Sequence, residues 1–307
     1  MPGQGIRRNE EGLGFITTLL VLVIVFAIVI GVYVNFFVYR PPSSTGNPRF
    51  AEVKDTVRIS YIGYFEDGSV FDTSISSVGN DNATWPKALS FSWRSSYSDF
   101  SFTIGKTNCT SQATDCAITG MSRAVTGLHE GDSVTHLITP GEGYGAKNRA
   151  LVTTSPLVQT VPVTQTMNAT AFRTKYGSAP QEGLPVVDPQ WGWMTQVHVS
   201  GNIVTVKNSP QISKTYPLYV NQTKGGTWSA TVESIDDGAN NGTGAITILN
   251  QFVFTQGHKL MVSPSSTGGQ FFVTDNQDGT FTVDENREVV GANLIFYMTV
   301  LQITKAS

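Results

Sequence analysis

The chain has 307 residues, enough for about two domains, and only 14% of them are charged, against about 25% in an ordinary soluble protein. Hydroxyl side chains supply the remaining polarity, with 27 serines and 36 threonines. A net charge of −3 excludes the basic surface that nucleic-acid binding requires, and a hydrophobic content of 40% excludes a disordered polymer. Two cysteines and four scattered histidines lead us to predict no metal site.

The N-terminal segment is uncharged from residue 12 to residue 39 and apolar on every face. At about 1.5 Å per residue a helix of this length crosses a hydrocarbon core of about 30 Å, so we predict a short cytoplasmic N-terminus (1–12), a transmembrane anchor (13–39) and a linker (40–52). A cleaved signal peptide fits less well, because the run is too long and no small-residue cleavage site follows it. A pilin-like leader remains the alternative.

The orientation of the anchor is not decided by charge, because two arginines precede the span and two follow it. Cys109 and Cys116 lie in one polar loop, where a disulfide would indicate an oxidising compartment; two free thiols are the alternative. Five N-x-T glycosylation acceptors all follow the anchor, at Asn82, Asn108, Asn168, Asn221 and Asn241. We therefore predict a single-pass cell-membrane protein whose C-terminal part is extracytoplasmic.

Beyond the linker, short elements alternate with turns. Residues 57–61 alternate as a strand does, Glu66-Asp67-Gly68 predicts a turn into a second strand, and residues 100–104 alternate again. A long polar loop with Trp85 and Trp93 lies between them. Residues 118–130 predict a helix, since Met121, Ala124, Val125 and Leu128 form one apolar face. A strand is predicted at 133–139.

The pattern changes from about residue 164 to residue 283. Short β-like runs at 202–207, 245–249 and 270–274 are separated by Asn, Asp and Gly turns, which predicts a separate β-rich unit. A strongly hydrophobic closing strand is predicted at 289–303. Just before this strand, the run from Thr274 to Glu285 nearly matches a calcium-binding loop, but Asp278-Gly279 is better explained as a hairpin turn.

Five stretches, taken in order, resemble the FKBP family of peptidyl-prolyl cis-trans isomerases. They are V-R-I-S-Y-I-G-Y-F-E-D-G-S-V-F-D (57–72), F-S-F-T-I-G (100–105), A-I-T-G-M-S-R-A-V-T-G-L-H-E-G-D (117–132), P-x-x-x-Y-G (140–145) and G-A-N-L-I-F (291–296). The resemblance implies an α+β fold, an antiparallel half-barrel around one short helix. It also implies an isomerase that needs no cofactor and acts on partly folded, proline-containing proteins.

The middle of the chain resembles the prokaryotic FKBP subclass in which a chaperone domain is inserted in the flap. S-P-L-V-Q-T-V-P (155–162) resembles the hinge into that insert, and D-E-N-R-E-V-V-G (284–291) resembles the return. We therefore predict an isomerase domain at 53–163 plus 284–307 and a β-rich, client-binding insert at 164–283. The insert and the loop before residue 100 are both longer than the resemblance leads us to expect.

Eight site residues follow from the resemblance. Aromatic and apolar side chains are expected to line the proline pocket, Asp72 to stand at its wall, and the Ile118 N–H and the Tyr144 hydroxyl to hold substrate carbonyls. The pocket-lining residues are Tyr61, Phe71, Phe100, Met121 and Phe296, with Met121 at the floor. Two other interpretations remain open, a non-catalytic chaperone or binding module and a structural cell-surface protein on the same scaffold.

Overall fold

The computed structural model describes residues 49–106, 115–255, 257–264 and 269–306. The predicted anchor at 13–39, Cys109 and the acceptor Asn108 lie outside these residues, so the anchor and the disulfide remain predictions. Within the described ranges, no helix combines the length and the apolar character that a membrane span requires.

Contacts divide the described chain into two compact units. The first comprises the described residues of 49–88, 92–143 and 293–306, and the second those of 89–91 and 144–292. The chain thus changes unit at 143/144 and 292/293, and three residues of the long loop, Leu89–Phe91, also belong to the second unit. The second unit is therefore larger than the insert predicted at 164–283.

The described residues of the first unit form two helices and five strands: α1 (Ser76–Asn80), α2 (Thr119–Val125), β1 (Thr56–Phe65), β2 (Val70–Thr73), β3 (Phe100–Thr103), β4 (Ser133–Ile138) and β18 (Leu294–Thr304). The strands form one antiparallel sheet in the order β2-β1-β18-β4, and β3 pairs with the end of β1 that β2 leaves open. A 3₁₀ turn covers Pro140–Glu142. The closing strand β18 is therefore a central strand, paired with β1 on one side and β4 on the other.

Strand β1 forms as the alternation predicts. Val57, Ile59 and Tyr61 are buried on one face, where β-branched and aromatic side chains pack well. The predicted turn at Glu66-Asp67-Gly68 is confirmed: Gly68 has a φ of +84°, and the Gly68 N–H donates to the Phe65 carbonyl at 2.9 Å. This turn places β2 beside the second half of β1.

The helix predicted at 118–130 is wrong in its second half, because α2 ends at Val125. Gly127 has a φ of +83°, outside the helical region, and its N–H donates to the Ala51 carbonyl at 2.8 Å instead of continuing the helix. Leu128 therefore does not belong to the helix. The short helix approaches β4 closely at Gly120, where a Cβ atom would lie 2.6 Å from the Ile138 side chain.

The second unit contains three antiparallel sheets, ordered β7-β10-β9-β8, β11-β13-β14-β6 and β12-β15-β16-β17-β5. Their strands and the helix α3 are β5 (Val152–Pro156), β6 (Val158–Val161), β7 (Thr164–Asn168), α3 (Ala169–Tyr176), β8 (Val186–Val187), β9 (Met194–Ser200), β10 (Ile203–Asn208), β11 (Thr215–Leu218), β12 (Thr223–Lys224), β13 (Gly226–Asp236), β14 (Ala245–Phe254), β15 (Lys259–Val262), β16 (Phe271–Asp275) and β17 (Thr280–Asp284). The hairpin predicted at Asp278-Gly279 joins β16 to β17.

The three tryptophans of the second unit, Trp191, Trp193 and Trp228, lie in its hydrophobic core. Each of two indole N–H groups donates to a buried asparagine: Trp193 to Asn208 and Trp228 to Asn250, both at 2.9 Å. Because a buried indole requires a hydrogen-bond acceptor, these pairs stabilise the core. The tryptophans are therefore core residues and do not form an exposed binding surface.

The helix α3 was not predicted from the sequence. Its start is capped by Asn168, whose Oδ1 accepts from the Ala171 N–H at 2.7 Å, and it ends at Gly177 with a φ of +71°. An asparagine cap and a glycine nine residues later are ordinary helix signals. Because β-like runs surround these two signals, the segment was predicted as part of a β-rich unit without a helix.

A buried carboxylate joins the two ends of the first unit. Asp55 is 3% exposed and accepts hydrogen bonds from Lys305 Nζ at 2.8 Å, from the Ala306 N–H at 3.0 Å and from the Glu52 N–H at 2.8 Å. Burial raises the pKa of this carboxyl group, but the hydrogen bonds outweigh burial and lower its pKa below the ordinary value of 3.8.

We expect Asp55→Asn to lower the free energy of unfolding by about 1–3 kcal/mol at pH 7. Because the folded-state pKa is lowered, the carboxylate stabilises the fold at all pH values above about 3.8, and this contribution disappears as the pH falls through the folded-state pKa. Thermal unfolding from pH 7 to pH 2 checks this. The melting curves of the two proteins should converge in acid, and a gap of constant size would contradict the assignment.

Candidate active site

Aromatic rings from four strands form one wall on the sheet of the first unit. Phe71 on β2 meets Phe296 on β18 edge to face, with ring centroids 5.4 Å apart. Tyr61 on β1 lies 6.0 Å from Phe296 and 6.2 Å from Phe100 on β3. These distances are typical of packed aromatic pairs, so the structure brings together four of the predicted pocket residues.

Gly63 leaves the space that two of these rings occupy. In the sheet register it pairs with Asp72 on one side and Phe296 on the other. A Cβ atom at this position would lie 2.6 Å from Phe71 Cζ and 3.0 Å from the Phe296 ring. The wall therefore requires glycine in the middle of β1, although glycine weakens an ordinary strand.

Asp72 is held at the wall by three partners. Its Oδ2 accepts the Tyr61 hydroxyl proton at 2.6 Å, and its Oδ1 accepts from the Thr73 N–H at 2.9 Å and forms an ion pair with Arg94. Arg94 also donates to the Thr73 carbonyl at 2.6 Å. Because both carboxylate oxygens are engaged, Asp72 is suited to orienting the groups around it and setting the local field.

The Tyr61 hydroxyl stays protonated over the physiological range. Burial raises its pKa well above the ordinary value, and the neighbouring charge of Asp72 raises it further. The single hydroxyl proton is directed to Asp72, so the ring presents its apolar face to the wall while its polar end is satisfied. A buried phenol of this kind adds no unpaired donor to the site.

Helix α2 supplies the remaining predicted groups of the first unit. Met121 is buried on this helix, which packs against β4 and β18. Ile118 precedes the helix, and its carbonyl accepts from the Met121 N–H at 3.0 Å. Within the described ranges the Ile118 N–H has no backbone acceptor, and its contact with a substrate carbonyl remains a prediction.

Tyr144 belongs by its contacts to the second unit, whereas the other seven predicted residues belong to the first. Its side chain is partly exposed, and the Arg287 guanidinium lies 5.2 Å from its ring centroid. The predicted contact of the Tyr144 hydroxyl with a substrate carbonyl therefore remains a prediction.

Arg94 is the site residue that the sequence analysis missed. It lies in the polar loop before β3, and no local pattern distinguishes it from other surface arginines. Only the tertiary structure shows that it is paired with Asp72, 22 positions earlier in the sequence. The unusual length of this loop was the one available signal.

Residues 47–163 match the model of one protein family, described as FKBP-type peptidyl-prolyl cis-trans isomerase. The chain therefore contains an FKBP-type domain, and the match supports peptidyl-prolyl isomerase activity and proline-containing protein substrates. The matched region ends before β18, so the structure adds the strand that carries Phe296. No curated protein matches the chain.

Proposed function

We propose that the chain is a peptidyl-prolyl cis-trans isomerase whose proline pocket is the aromatic wall formed by Tyr61, Phe71, Phe100 and Phe296. The observation that carries this proposal is the engaged Asp72 carboxylate beside that wall, inside the region that matches the isomerase family. A charged group next to an apolar cluster is costly unless it is hydrogen-bonded, and Asp72 meets this condition through Tyr61, Thr73 and Arg94.

The reaction requires rotation about one amide bond, with a barrier of about 18–20 kcal/mol, and no bond is broken. The barrier arises from lost amide resonance, and the twisted amide is less dipolar than the planar one. Compared with water, an apolar wall therefore stabilises the twisted amide relative to the planar amide. Met121 is expected to form the floor, the Ile118 N–H to hold a substrate carbonyl, and Asp72 with Tyr61 to fix the rings.

The test is catalysed cis-trans exchange of a short Xaa-Pro peptide, measured by NMR exchange spectroscopy on residues 46–307. We expect exchange far above the uncatalysed rate, which has a time constant of tens to hundreds of seconds. A folded domain without catalysed exchange would favour the binding-module interpretation, in which the scaffold persists without the activity.

We further propose that residues 164–283 are an insert in the flap, of the prokaryotic FKBP subclass, that binds unfolded client proteins. Three apolar residues of this segment, Leu184, Val187 and Met194, are 48%, 55% and 47% exposed. Val187 and Met194 are directly opposite each other on β8 and β9. Apolar side chains paired across strands and open to solvent suit weak contacts with unfolded chains, and binding there would raise the concentration of client prolines at the pocket.

Glutamate at both Val187 and Met194 is expected to lower action on a protein client more than action on a peptide. The measurement is the ratio of two rates, proline-limited refolding of an unfolded protein and exchange of a short peptide. We expect this ratio to fall several-fold, because charge opposes apolar contact. The matched control is Val253→Glu, an exposed valine on β14. A ratio equal to that of the control would place client binding elsewhere.

We also propose that the chain is anchored in the cell membrane by residues 13–39, with the described part extracytoplasmic. Four acceptor asparagines in the described part, Asn82, Asn168, Asn221 and Asn241, are exposed and accessible to modification. Protease digestion of intact cells tests the orientation. Degradation of the C-terminal part from outside is expected, and its protection would overturn the proposal.

A further inference from the structure

One large apolar side chain of the loop before β3 is exposed. Trp93 is 53% exposed and lies between the polar residues Ser92 and Arg94. A single exposed tryptophan is ordinary in itself. What distinguishes Trp93 is its position next to Arg94, which binds the pocket carboxylate.

The loop is fixed after Trp93 by the contacts of two residues, Arg94 and Tyr97. Arg94 is held by Asp72 and the Thr73 carbonyl, and its guanidinium lies 5.1 Å from the ring centroid of Tyr97. The Tyr97 ring in turn fills the space beside Gly79, where a Cβ atom would lie 2.2 Å from Tyr97 Cζ. The backbone that carries the indole is therefore tied to the site.

The loop is also fixed before Trp93. The Val70 N–H donates to the Pro86 carbonyl at 2.8 Å, and the Ala88 N–H donates to the Val70 carbonyl at 2.9 Å. The indole is thus carried by a segment anchored on β2 on both sides. Preorganised aromatic side chains contribute most to recognition, because little conformational entropy is lost when a ligand packs on them.

One cation lies beside the indole. Lys87 Nζ lies 5.6 Å from the Trp93 ring centroid and donates to the Asp81 and Trp85 carbonyls at 2.8 Å and 2.5 Å. The charge of Arg94, the next residue in the chain, is compensated by its ion pair with Asp72. An apolar or aromatic side chain is favoured on such a surface, whereas a lysine or arginine is repelled by the positive charge of Lys87.

We propose that Trp93 is a specificity-determining residue of the isomerase, a contact for an apolar side chain of the substrate near the proline. The inference rests on the proposed function and extends it from the proline ring to the flanking sequence. Trp93 is separated from Asp72 by one peptide unit and the Arg94 side chain. Because an extended substrate advances about 3.3–3.6 Å per residue, the contacted residue lies two or three positions from the proline.

The experiment uses the full chain and alanine-based peptides with one central proline. Phenylalanine, leucine or lysine is placed two or three positions before or after the proline, and kcat/KM for exchange is measured by NMR. Each protein is compared through the ratio of kcat/KM for a substituted peptide to that for the all-alanine peptide. The proteins are the wild type, Trp93→Ala, Trp93→Phe and the control Leu137→Ala, an exposed leucine of the same unit.

We expect the wild type to prefer phenylalanine and leucine to alanine at one of these positions and to disfavour lysine. Trp93→Ala should lower the phenylalanine ratio about two- to tenfold, Trp93→Phe should retain most of it, and Leu137→Ala should not change it. An unchanged phenylalanine ratio in Trp93→Ala, or an equal loss of kcat/KM on every peptide, would overturn this inference and leave the proposed function standing. No turnover of any peptide by the wild type would overturn the proposed function and this inference with it.

Discussion

Replacing Asp72 by alanine is expected to lower kcat/KM for peptide exchange about tenfold, equivalent to about 1.4 kcal/mol of transition-state stabilisation. The change removes the acceptor of the Tyr61 hydroxyl and the partner of Arg94, so both side chains lose a contact that fixes their positions. The buried hydroxyl then lacks an acceptor, which costs about 1–3 kcal/mol of stability. Exchange kinetics and thermal unfolding, measured together, separate the two effects.

Two further variants sharpen this result. Asp72→Asn retains an acceptor for Tyr61 but removes the charge, and Tyr61→Phe removes the hydroxyl but leaves the ion pair with Arg94. A double-mutant cycle between Asp72→Ala and Tyr61→Phe should show coupling, because the groups are 2.6 Å apart. Asp99→Ala is the matched control, since it breaks a surface ion pair with Arg58. Activity equal to that of the control would place the chemistry elsewhere.

Gly63→Ala is the second change with a large expected effect. The added methyl group would lie 2.6 Å from Phe71 Cζ and must displace the ring from the wall. Overpacking of this kind costs about 1–3 kcal/mol of stability, and displacement of a pocket ring should lower exchange by more than the loss of folded protein explains. Kinetics at a temperature where both proteins are folded provide the measurement.

Gly141→Ala is the control for this prediction. Gly141 lies in the same unit with no atom within 4 Å of the added Cβ, and its φ is not positive. The same substitution is therefore sterically free there and should leave the melting temperature within the range of ordinary surface changes. Equal effects at the two glycines would show that the Phe71 ring yields without cost, which would contradict a closely packed wall.

Local patterns predicted the sheet of the first unit well, because its strands alternate. The run Val57, Ile59 and Tyr61 specified which face of β1 is buried. The end of α2 could not be predicted from its apolar face, since it depends on a hydrogen bond from Gly127 to the distant Ala51. Arg94 was missed for the same reason: its role depends on a partner across the fold, which no local pattern specifies.

In the second unit, long-range strand pairing decided more of the structure than local sequence patterns did. Its strands were predicted at three runs, yet the division of residues between the units follows long-range pairing of β5 with β17 and of β6 with β14. A hinge-like sequence at 155–162 indicates that the chain changes context there. It does not indicate that these residues pair with strands about a hundred positions later.

The central position of β18 has a consequence for synthesis of the protein on the ribosome. The strands β1 and β4 of the first unit are made early, but the strand that pairs with both of them follows the whole of the second unit in the chain. Residues 144–292 are therefore synthesised while β1 and β4 still lack their common partner. The aromatic wall, which includes Phe296, is among the last features of the nascent chain to form.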